Sequence, residues 1–364
     1  MRAECGRSAR DAGYSRPVPA PVISICVVAS RQPMLDDCLV SLYAQEDPPD
    51  FELLVSIGDD PAMAAAVRRR FPDVRICQVS GSQYPGAARN DLVQRAAGEL
   101  LLFVDDDVIA HPRLLRRLAE LARDRPEASV FGGPNETPPA SSRFQFVQGA
   151  VLASLVGSGP VRRRYGAHRA GVADERWFIL CNLTVRRQAM LPFPEDIICA
   201  EENALLTELQ RRGAQMHYSP TLIVYHERRS DSRSFARQIF KYGRGRGALL
   251  RRSPRATRAA FVAPSTLCLY ALALPALVAY LGGLSVVGLA AYGCLVAAAS
   301  CRIGLTLRRI RAVPTAALLI VILHLSYGSG VIQGLLAPRA ARLKPTARWE
   351  DHAPRVPAFT HDPS

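Results

Sequence analysis

Residues Leu101 to Pro112 read LLFVDDDVIAHP. The apolar residues at the start are typical of a buried strand, three consecutive aspartates follow, and a helix is predicted to begin near Pro112. Adjacent carboxylates repel one another unless a cation or a set of hydrogen-bond donors compensates their charge. Asp105, Asp106 and Asp107 therefore predict a bound partner at the end of this strand.

The chain around this strand alternates between apolar runs and amphipathic stretches. The runs predicted as strands are 22–29 (VISICVVA), 51–57 (FELLVSI), 74–80 (VRICQVS) and 99–104 (ELLLFV), and helices are predicted between them. Such alternation predicts an α/β fold with a doubly wound, mostly parallel sheet that is covered on both faces. Ligands of such sheets bind beyond the carboxyl ends of the strands, where the three aspartates are predicted to lie.

Composition points to an anionic partner. The formal net charge is +14, and the run from Lys241 to Arg258 is strongly basic and contains no acidic residue. This balance fits a membrane surface, a phosphorylated ligand or nucleic acid. Nucleic acid is not an expected partner, because the positive charge lies beside apolar segments and lacks interleaved aromatic residues.

The C-terminal third is apolar enough to enter a membrane. Ala259 to Leu281 carries no charge over 23 residues and Leu284 to Cys301 none over 18, compared with the roughly 20 apolar residues of a spanning helix. These segments predict two transmembrane helices. Thr315 to Leu336 is a third candidate, weakened by His324 and three glycines, and it could instead be re-entrant or interfacial. Arginines on both flanks predict a cytoplasmic catalytic side.

Five segments in order resemble family 2 glycosyltransferases of the GT-A fold: 22–56, 86–108, 181–187, 200–213 and 237–247. In particular they are similar to the membrane-anchored members that build bacterial exopolysaccharides, the succinoglycan-type glucosyltransferases among them. No single segment is decisive, but five in sequence order make a chance similarity improbable.

The resemblance and the composition together predict five regions along the chain. They are a flexible tail (1–21), a GT-A catalytic domain (22–230), a basic juxtamembrane segment with a QxxRW-like motif (231–258), a membrane region of two to three helices (259–336) and a C-terminal tail (337–364).

The resemblance implies a metal site at the aspartates. Asp105 and Asp107 match the family's DxD motif, which binds Mg²⁺ or Mn²⁺ against the diphosphate of the sugar donor, and Asp106 lies between them on the donor side. The metal stabilises negative charge on the departing diphosphate. An acidic turn that only caps the next helix is the less favoured interpretation.

The resemblance also implies a general base. Glu201 and Glu202 match the family's ED motif, with glutamate where the second residue is usually aspartate. Glu202 is expected to remove the proton of the acceptor hydroxyl, and Glu201 could share this role. Attack opposite the diphosphate would invert the anomeric configuration. A solvated pair in the first turn of a helix is the alternative.

Further residues follow from the same resemblance. Donor contacts are expected from Asp59, Asp60, Arg89, Gln238, Lys241 and Arg244, and acceptor-side contacts from Asn182, Tyr242 and His226. Lys241 and Tyr242 replace the arginine and tryptophan of the family's QxxRW motif. Ordinary surface roles are an open alternative for the first three donor residues, and attraction to anionic lipids for Arg244.

These features predict an inverting, metal-dependent glycosyltransferase at the bacterial plasma membrane, multi-pass, with a cytoplasmic catalytic domain. It would move a sugar from a nucleotide diphosphate sugar to a lipid-linked or glycan acceptor in exopolysaccharide or cell-envelope biosynthesis, in contact with membrane lipids. A processive polysaccharide synthase and a catalytically degenerate membrane scaffold are the alternatives. The best support for the scaffold is that Glu202, Lys241 and Tyr242 differ from the residues usual at these positions in the family's motifs.

Overall fold

The computed structural model describes residues 22–78, 85–195, 201–252 and 259–337. The predicted tails 1–21 and 338–364 and the end of the basic segment, 253–258, lie outside the described residues. The strands are β1 (Ile23–Ala29), β2 (Phe51–Ile57), β3 (Arg75–Gln78), β4 (Leu100–Asp105), β5 (Val108–Ala110), β6 (Ala128–Gly132), β7 (Asn135–Glu136), β8 (Gly171–Ala173), β9 (Leu183–Arg186), β10 (Gln215–Tyr218) and β11 (Val224–His226). The helices are α1 (Gln32–Tyr43), α2 (Pro61–Arg70), α3 (Pro85–Arg95), α4 (Leu114–Asp124), α5 (Arg143–Leu152), α6 (Leu155–Ser158), α7 (Glu201–Arg211), α8 (Ser232–Arg252), α9 (Ala263–Leu281), α10 (Val287–Thr306) and α11 (Val313–Leu336).

Eight strands form one sheet in the order β3-β2-β1-β4-β9-β6-β10-β8. All strands run in one direction except β8 and β9. This mostly parallel sheet confirms the predicted α/β class. A second, three-stranded sheet has the order β5-β11-β7, and in it His226 of β11 pairs with Val108 of β5. Because β5 directly follows the aspartates, this pairing brings His226 to the same sheet edge.

Strand β4 runs through the centre of the large sheet and packs on both faces. Leu102 and Val104 join an apolar cluster with helices α1, α2 and α4. Leu101 and Phe103 join a second cluster with helices α3 and α7. Burial on both sides explains the unbroken apolar run of this strand. The aspartates that follow are thereby attached to a strand that is buried on both faces.

Two C-terminal stretches are long and apolar enough to cross a membrane, Ala263–Thr306 and Ile310–Leu336. The first contains both predicted spans as α9 and α10, joined by a short 3-10 turn at Gly282–Val286. The second contains the third candidate as the continuous helix α11. Helix α5 and the segment Leu155–Tyr165 meet at a bend of 66° and together pass the same test as a broken span or re-entrant loop.

The polar residues that weaken the sequence signal of α11 are used for packing. The ring of His324 is buried, with Nδ1 3.0 Å from the hydroxyl of Tyr292 on α10 and Nε2 2.7 Å from the carbonyl of Val156 on α6. Both ring nitrogens are thus hydrogen-bonded, as a buried polar group requires. His324 therefore ties α11 to two neighbouring elements.

Glycines allow helices α8 and α11 to cross with their backbones in contact. A Cβ on Gly247 would lie 2.9 Å from the nitrogen of Leu335 and closer still to the carbonyl oxygen of Val331. A Cβ on Gly334 would lie 3.0 Å from the nitrogen of Ala248 and would overlap the carbonyl of Arg244. The glycine-rich run 243–247 is therefore a packing surface for the apolar helix.

Candidate active site

A cavity of about 620 Å³ lies between the carboxyl end of the large sheet and the C-terminal helices. One part of its wall is polar and is formed by Arg89, Asp105, Arg164, Glu201, Glu202, Asn203, His226, Tyr242 and Arg246. Another part is mostly apolar and is formed by Leu152, Leu155, Val156, Ile239, Phe261, Leu267, Tyr292, Leu295, Leu323 and Tyr327. A single cavity thus joins the predicted catalytic residues to the helices that are apolar enough for a membrane.

Asp105, Asp107 and His226 form a cluster able to hold a metal ion. One ligand atom from each lies within 4.8 Å of the others, and the side chains of Asp107 and His226 are buried. Carboxylate oxygens suit Mg²⁺ and Mn²⁺, and imidazole is a common ligand of transition metals. The residues present therefore fit a divalent cation. His226 lies beside the DxD motif and also lines the cavity, so its expected acceptor-side contact stays a prediction.

The carboxylate of Asp107 interacts strongly with two basic side chains, His226 and Arg31. Burial raises the pKa of Asp107, but His226 and Arg31 outweigh it and hold this pKa well below its usual range. Nε2 of His226 lies 2.9 Å from Asp107, and this carboxylate raises the pKa of His226 to about 10 although burial opposes it. Since a metal ligand must be a neutral imidazole, metal binding here would release a proton from His226.

Asp106 has a different set of partners from its neighbours. It accepts hydrogen bonds from the backbone nitrogens of Ser30 (2.7 Å) and Arg31 (3.0 Å) and from the Arg31 guanidinium (2.5 Å). Its side chain is almost fully buried and does not line the cavity. These contacts hold the connection between β1 and α1, so a donor contact by Asp106 stays a prediction.

Glu201 lies on the side of the cavity where Arg89 and Asp105 are found. Its carboxylate lies 2.5 Å from Nη1 of Arg89, and Nη2 of the same arginine lies 3.5 Å from Asp105. Burial raises the pKa of Glu201 to about 7, although Arg89 opposes the shift. Arg89 thus links the ED motif to the DxD motif, although the two are far apart in the sequence.

Glu202 faces the other side. Its Oε1 accepts a hydrogen bond of 2.7 Å from the amide of Asn203 and lies 3.7 Å from Nη1 of Arg164. Both glutamates begin helix α7 and line the cavity, but Glu202 contacts Arg164 and Asn203 whereas Glu201 contacts Arg89. The two residues of the ED motif therefore have separate surroundings.

Helix α8 presents one face to the site. Gln238 donates a 3.0 Å hydrogen bond to the hydroxyl of Tyr242, which lines the cavity together with Arg246 one turn later. Lys241 and Arg244 are exposed and do not line the cavity. Arg246 is the arginine of α8 that lines the cavity. It shares a helix face with Gln238 and Tyr242, because residues four positions apart lie above one another on a helix.

The remaining predicted residues lie away from the cavity wall. The side-chain amide of Asn182 is buried and donates to the carbonyl of Leu222 at 2.7 Å. Asp60 caps helix α2 by accepting a 2.8 Å hydrogen bond from the nitrogen of Met63, and Asp59 beside it is exposed. Direct donor or acceptor contacts by these three residues stay predictions.

The sequence did not identify several side chains at the site. Arg31 precedes helix α1, Arg164 lies in a 3-10 turn and Asn203 follows a recognised motif, and a single sequence gives no distinguishing signal for them. Arg246 differs, because it lies in the basic run that predicts a phosphate or lipid-headgroup contact and is in helical phase with Gln238.

An open, mostly parallel sheet with an acidic cluster at its carboxyl edge is the architecture of GT-A glycosyltransferases. The family model described as "Glycosyltransferase like family 2" matches residues 19–245. The chain belongs to glycosyltransferase family 2 and is a glycosyltransferase.

One characterised relative is the succinoglycan biosynthesis protein ExoM of Rhizobium meliloti (strain 1021). It is 26% identical over 255 residues, which cover 66% of this chain and 78% of ExoM. The similarity extends beyond the catalytic motifs and agrees with the predicted resemblance to exopolysaccharide enzymes.

Two solved structures illustrate the fold. The mannosyltransferase PcManGT from Pyrobaculum calidifontis, in complex with GDP-Man and Mn²⁺, matches with a TM-score of 0.59 and 17% identity over 88% of each chain. S. aureus TarS 1-349 in complex with UDP matches with a TM-score of 0.45 and 16% identity, covering 61% of this chain and 64% of that one. The first match shows that the fold is shared along most of the chain.

Proposed function

We propose that this glycosyltransferase moves a sugar, with inversion, from a nucleotide diphosphate sugar to a lipid-linked acceptor at a metal-dependent centre. The observation that carries the proposal is the single cavity that joins the acidic cluster and Glu202 to the apolar helices. Part of this wall is formed by helices long and apolar enough to cross a membrane, which suits an acceptor carried on a lipid.

The donor side is assigned to the acidic cluster. Asp105, Asp107 and His226 would hold the divalent cation, which when bound stabilises negative charge on the leaving diphosphate. Arg89 adds positive charge at the same end of the cavity through its contacts with Asp105 and Glu201. The neighbour PcManGT, solved with GDP-Man and Mn²⁺, supports a nucleotide sugar and a divalent cation as ligands.

Glu202 is assigned as the general base. It accepts the proton of the acceptor hydroxyl while that oxygen bonds to the anomeric carbon and the bond from this carbon to the diphosphate breaks. Attack from the face opposite the diphosphate inverts the configuration. Glu201 fits the role less well, because its carboxylate is already engaged by Arg89 on the donor side.

The acceptor is assigned from the apolar wall. Leu155 and Leu295 line the cavity and are 65% and 50% exposed, so the apolar part of its wall reaches the protein surface. A lipid carried in the membrane can enter by this route. Similarity to ExoM supports exopolysaccharide biosynthesis as the pathway and the bacterial plasma membrane as the location. A multi-pass arrangement with a cytoplasmic catalytic domain completes the proposal.

Transfer by the purified full chain tests the proposal. The chain is incubated with Mn²⁺, a panel of UDP-, GDP- and dTDP-sugars and a bacterial lipid extract, and sugar incorporation into lipid is measured. We expect transfer from one donor, and a loss of at least 100-fold in Glu202→Gln. Glu208→Gln is the matched control, because Glu208 lies on the same helix and pairs with Arg211 outside the cavity. Unchanged transfer by Glu202→Gln would refute its role, and absence of donor binding would favour the degenerate scaffold.

A further inference from the structure

Two arginines in the cavity wall converge on one amide oxygen. Nη2 of Arg164 donates to Oδ1 of Asn203 at 2.8 Å, and Nη2 of Arg246 donates to the same atom at 3.1 Å. Arg164 is also fixed by hydrogen bonds to the carbonyls of Glu175 and Arg176, and it is 94% buried. Like charges held this close repel one another, so the arrangement favours an anion between or beside them.

The charge of this pair is only partly neutralised by the protein. Arg164 has Glu202 at 3.7 Å, whereas no carboxylate of the described residues lies within 4.0 Å of Arg246. Arg89 differs, since two carboxylates already pair with it. Guanidinium groups bind phosphate through charge-assisted hydrogen bonds, and Nη1 of Arg164 is not used in the contacts to Asn203, Glu175 and Arg176. The arginine pair is therefore suited to a phosphate that is separate from the acidic cluster.

The position of the pair identifies the kind of phosphate. The guanidinium of Arg246 stacks on the ring of Phe261 at 4.2 Å, and Tyr327 lines the same cavity. Phe261 and Tyr327 share this cavity with Leu155 and Leu295, two apolar residues at which the wall reaches the protein surface. A ligand that occupies both parts must carry a phosphate next to a long apolar chain.

We propose that Arg164 and Arg246 bind the phosphate of a long-chain lipid phosphate, the carrier of the acceptor. The chain lies along the apolar wall and leaves the cavity beside Leu155 and Leu295, while the sugar end points to Glu202. The inference rests on the proposed function, because it assigns the anchor of the same acceptor.

Binding to the full chain in detergent tests this assignment. The probes are a long-chain polyprenyl monophosphate, the corresponding polyprenol, a short soluble prenyl phosphate and phosphatidylglycerol. We expect the polyprenyl phosphate to bind at least tenfold more tightly than the other three. Arg246→Gln should weaken its binding at least tenfold, and Arg246→Lys less. Arg237→Gln is the control, because Arg237 is exposed on the same helix and, nine residues away at about 100° per residue, faces the opposite side.

Three outcomes would overturn the assignment: unchanged lipid binding in Arg246→Gln, equal binding of polyprenol or phosphatidylglycerol, or loss of donor binding instead of lipid binding. Loss of donor binding instead of lipid binding would indicate that the arginine pair binds the donor diphosphate. The melting temperature of each variant shows whether a loss is due to unfolding.

Donor binding by the wild type with Mn²⁺ is measured in parallel. A wild type that binds donor but not lipid phosphate refutes this inference alone, whereas one that binds lipid phosphate but no donor refutes the proposed function.

Discussion

Replacement of Gly334 by alanine is predicted to separate the apolar helix α11 from helix α8, which lines the site. The added Cβ would lie 3.0 Å from the nitrogen of Ala248, compared with 3.4 Å for an ordinary contact, and it would overlap the carbonyl of Arg244. Both opposing groups are backbone atoms, so the helices must move apart. A gap of about 0.5–1 Å forfeits a quarter to a half of each dispersion contact it opens.

The expected cost of Gly334→Ala is about 1–3 kcal/mol, the range for overpacking a close contact. With about 2.1 cal/mol/K of unfolding entropy per residue, this corresponds to a melting temperature lower by roughly 1–4 °C in a chain of 364 residues. Transfer to the lipid acceptor should also fall, because Tyr242 and Arg246 on α8 line the cavity together with residues of α11. Metal binding should change little, since the acidic cluster belongs to the two sheets.

Thermal unfolding of the purified full chain in detergent, followed by circular dichroism, measures the effect. Gly293→Ala on α10 is the matched control, because its Cβ would meet no atom within 4 Å. We expect the control to be neutral or to gain up to about 1 kcal/mol from the higher helix propensity of alanine. Equal melting temperatures for Gly334→Ala and the wild type would refute the close crossing.

Two further substitutions separate the roles of neighbouring residues. Asp106→Ala leaves the backbone nitrogens of Ser30 and Arg31 without their acceptor, which should cost about 2–4 kcal/mol; a melting temperature equal to that of the wild type would contradict this. His226→Asn replaces an imidazole nitrogen by an amide oxygen and should lower transfer with Mn²⁺ more than transfer with Mg²⁺, by on the order of tenfold. An unchanged ratio between the two metals would remove His226 from the metal site.

Local patterns were enough to predict the main features of the fold. The unbroken apolar run of β4 and the helical spacing of its neighbours determine an α/β sheet, and the sheet edge places Asp105 and Asp107. The length of each apolar stretch likewise predicts the C-terminal helices. These features depend on residues close together in sequence, which is why they are readable without a structure.

The partners of each charge were not predictable in this way. The sequence gives three equivalent aspartates, and only the fold shows that Asp106 holds the β1–α1 connection while Asp107 meets His226. It likewise gives several arginines near position 246 without saying which one meets Asn203. In the sequence, the glycines and His324 of α11 look like interruptions of an apolar helix, because their packing partners lie on other helices and are not visible there.

Calorimetric titration of nucleotide sugars into the full chain, with and without Mn²⁺, tests whether the acidic cluster is a metal-dependent donor site. We expect the wild type to bind one donor of a UDP-, GDP- and dTDP-sugar panel in a Mn²⁺-dependent way. Asp107→Asn should lose the gain from Mn²⁺, while Asp124→Asn, an exposed aspartate on α4, should retain it. Donor binding by Asp107→Asn with the affinity and Mn²⁺ dependence of the wild type would contradict the account.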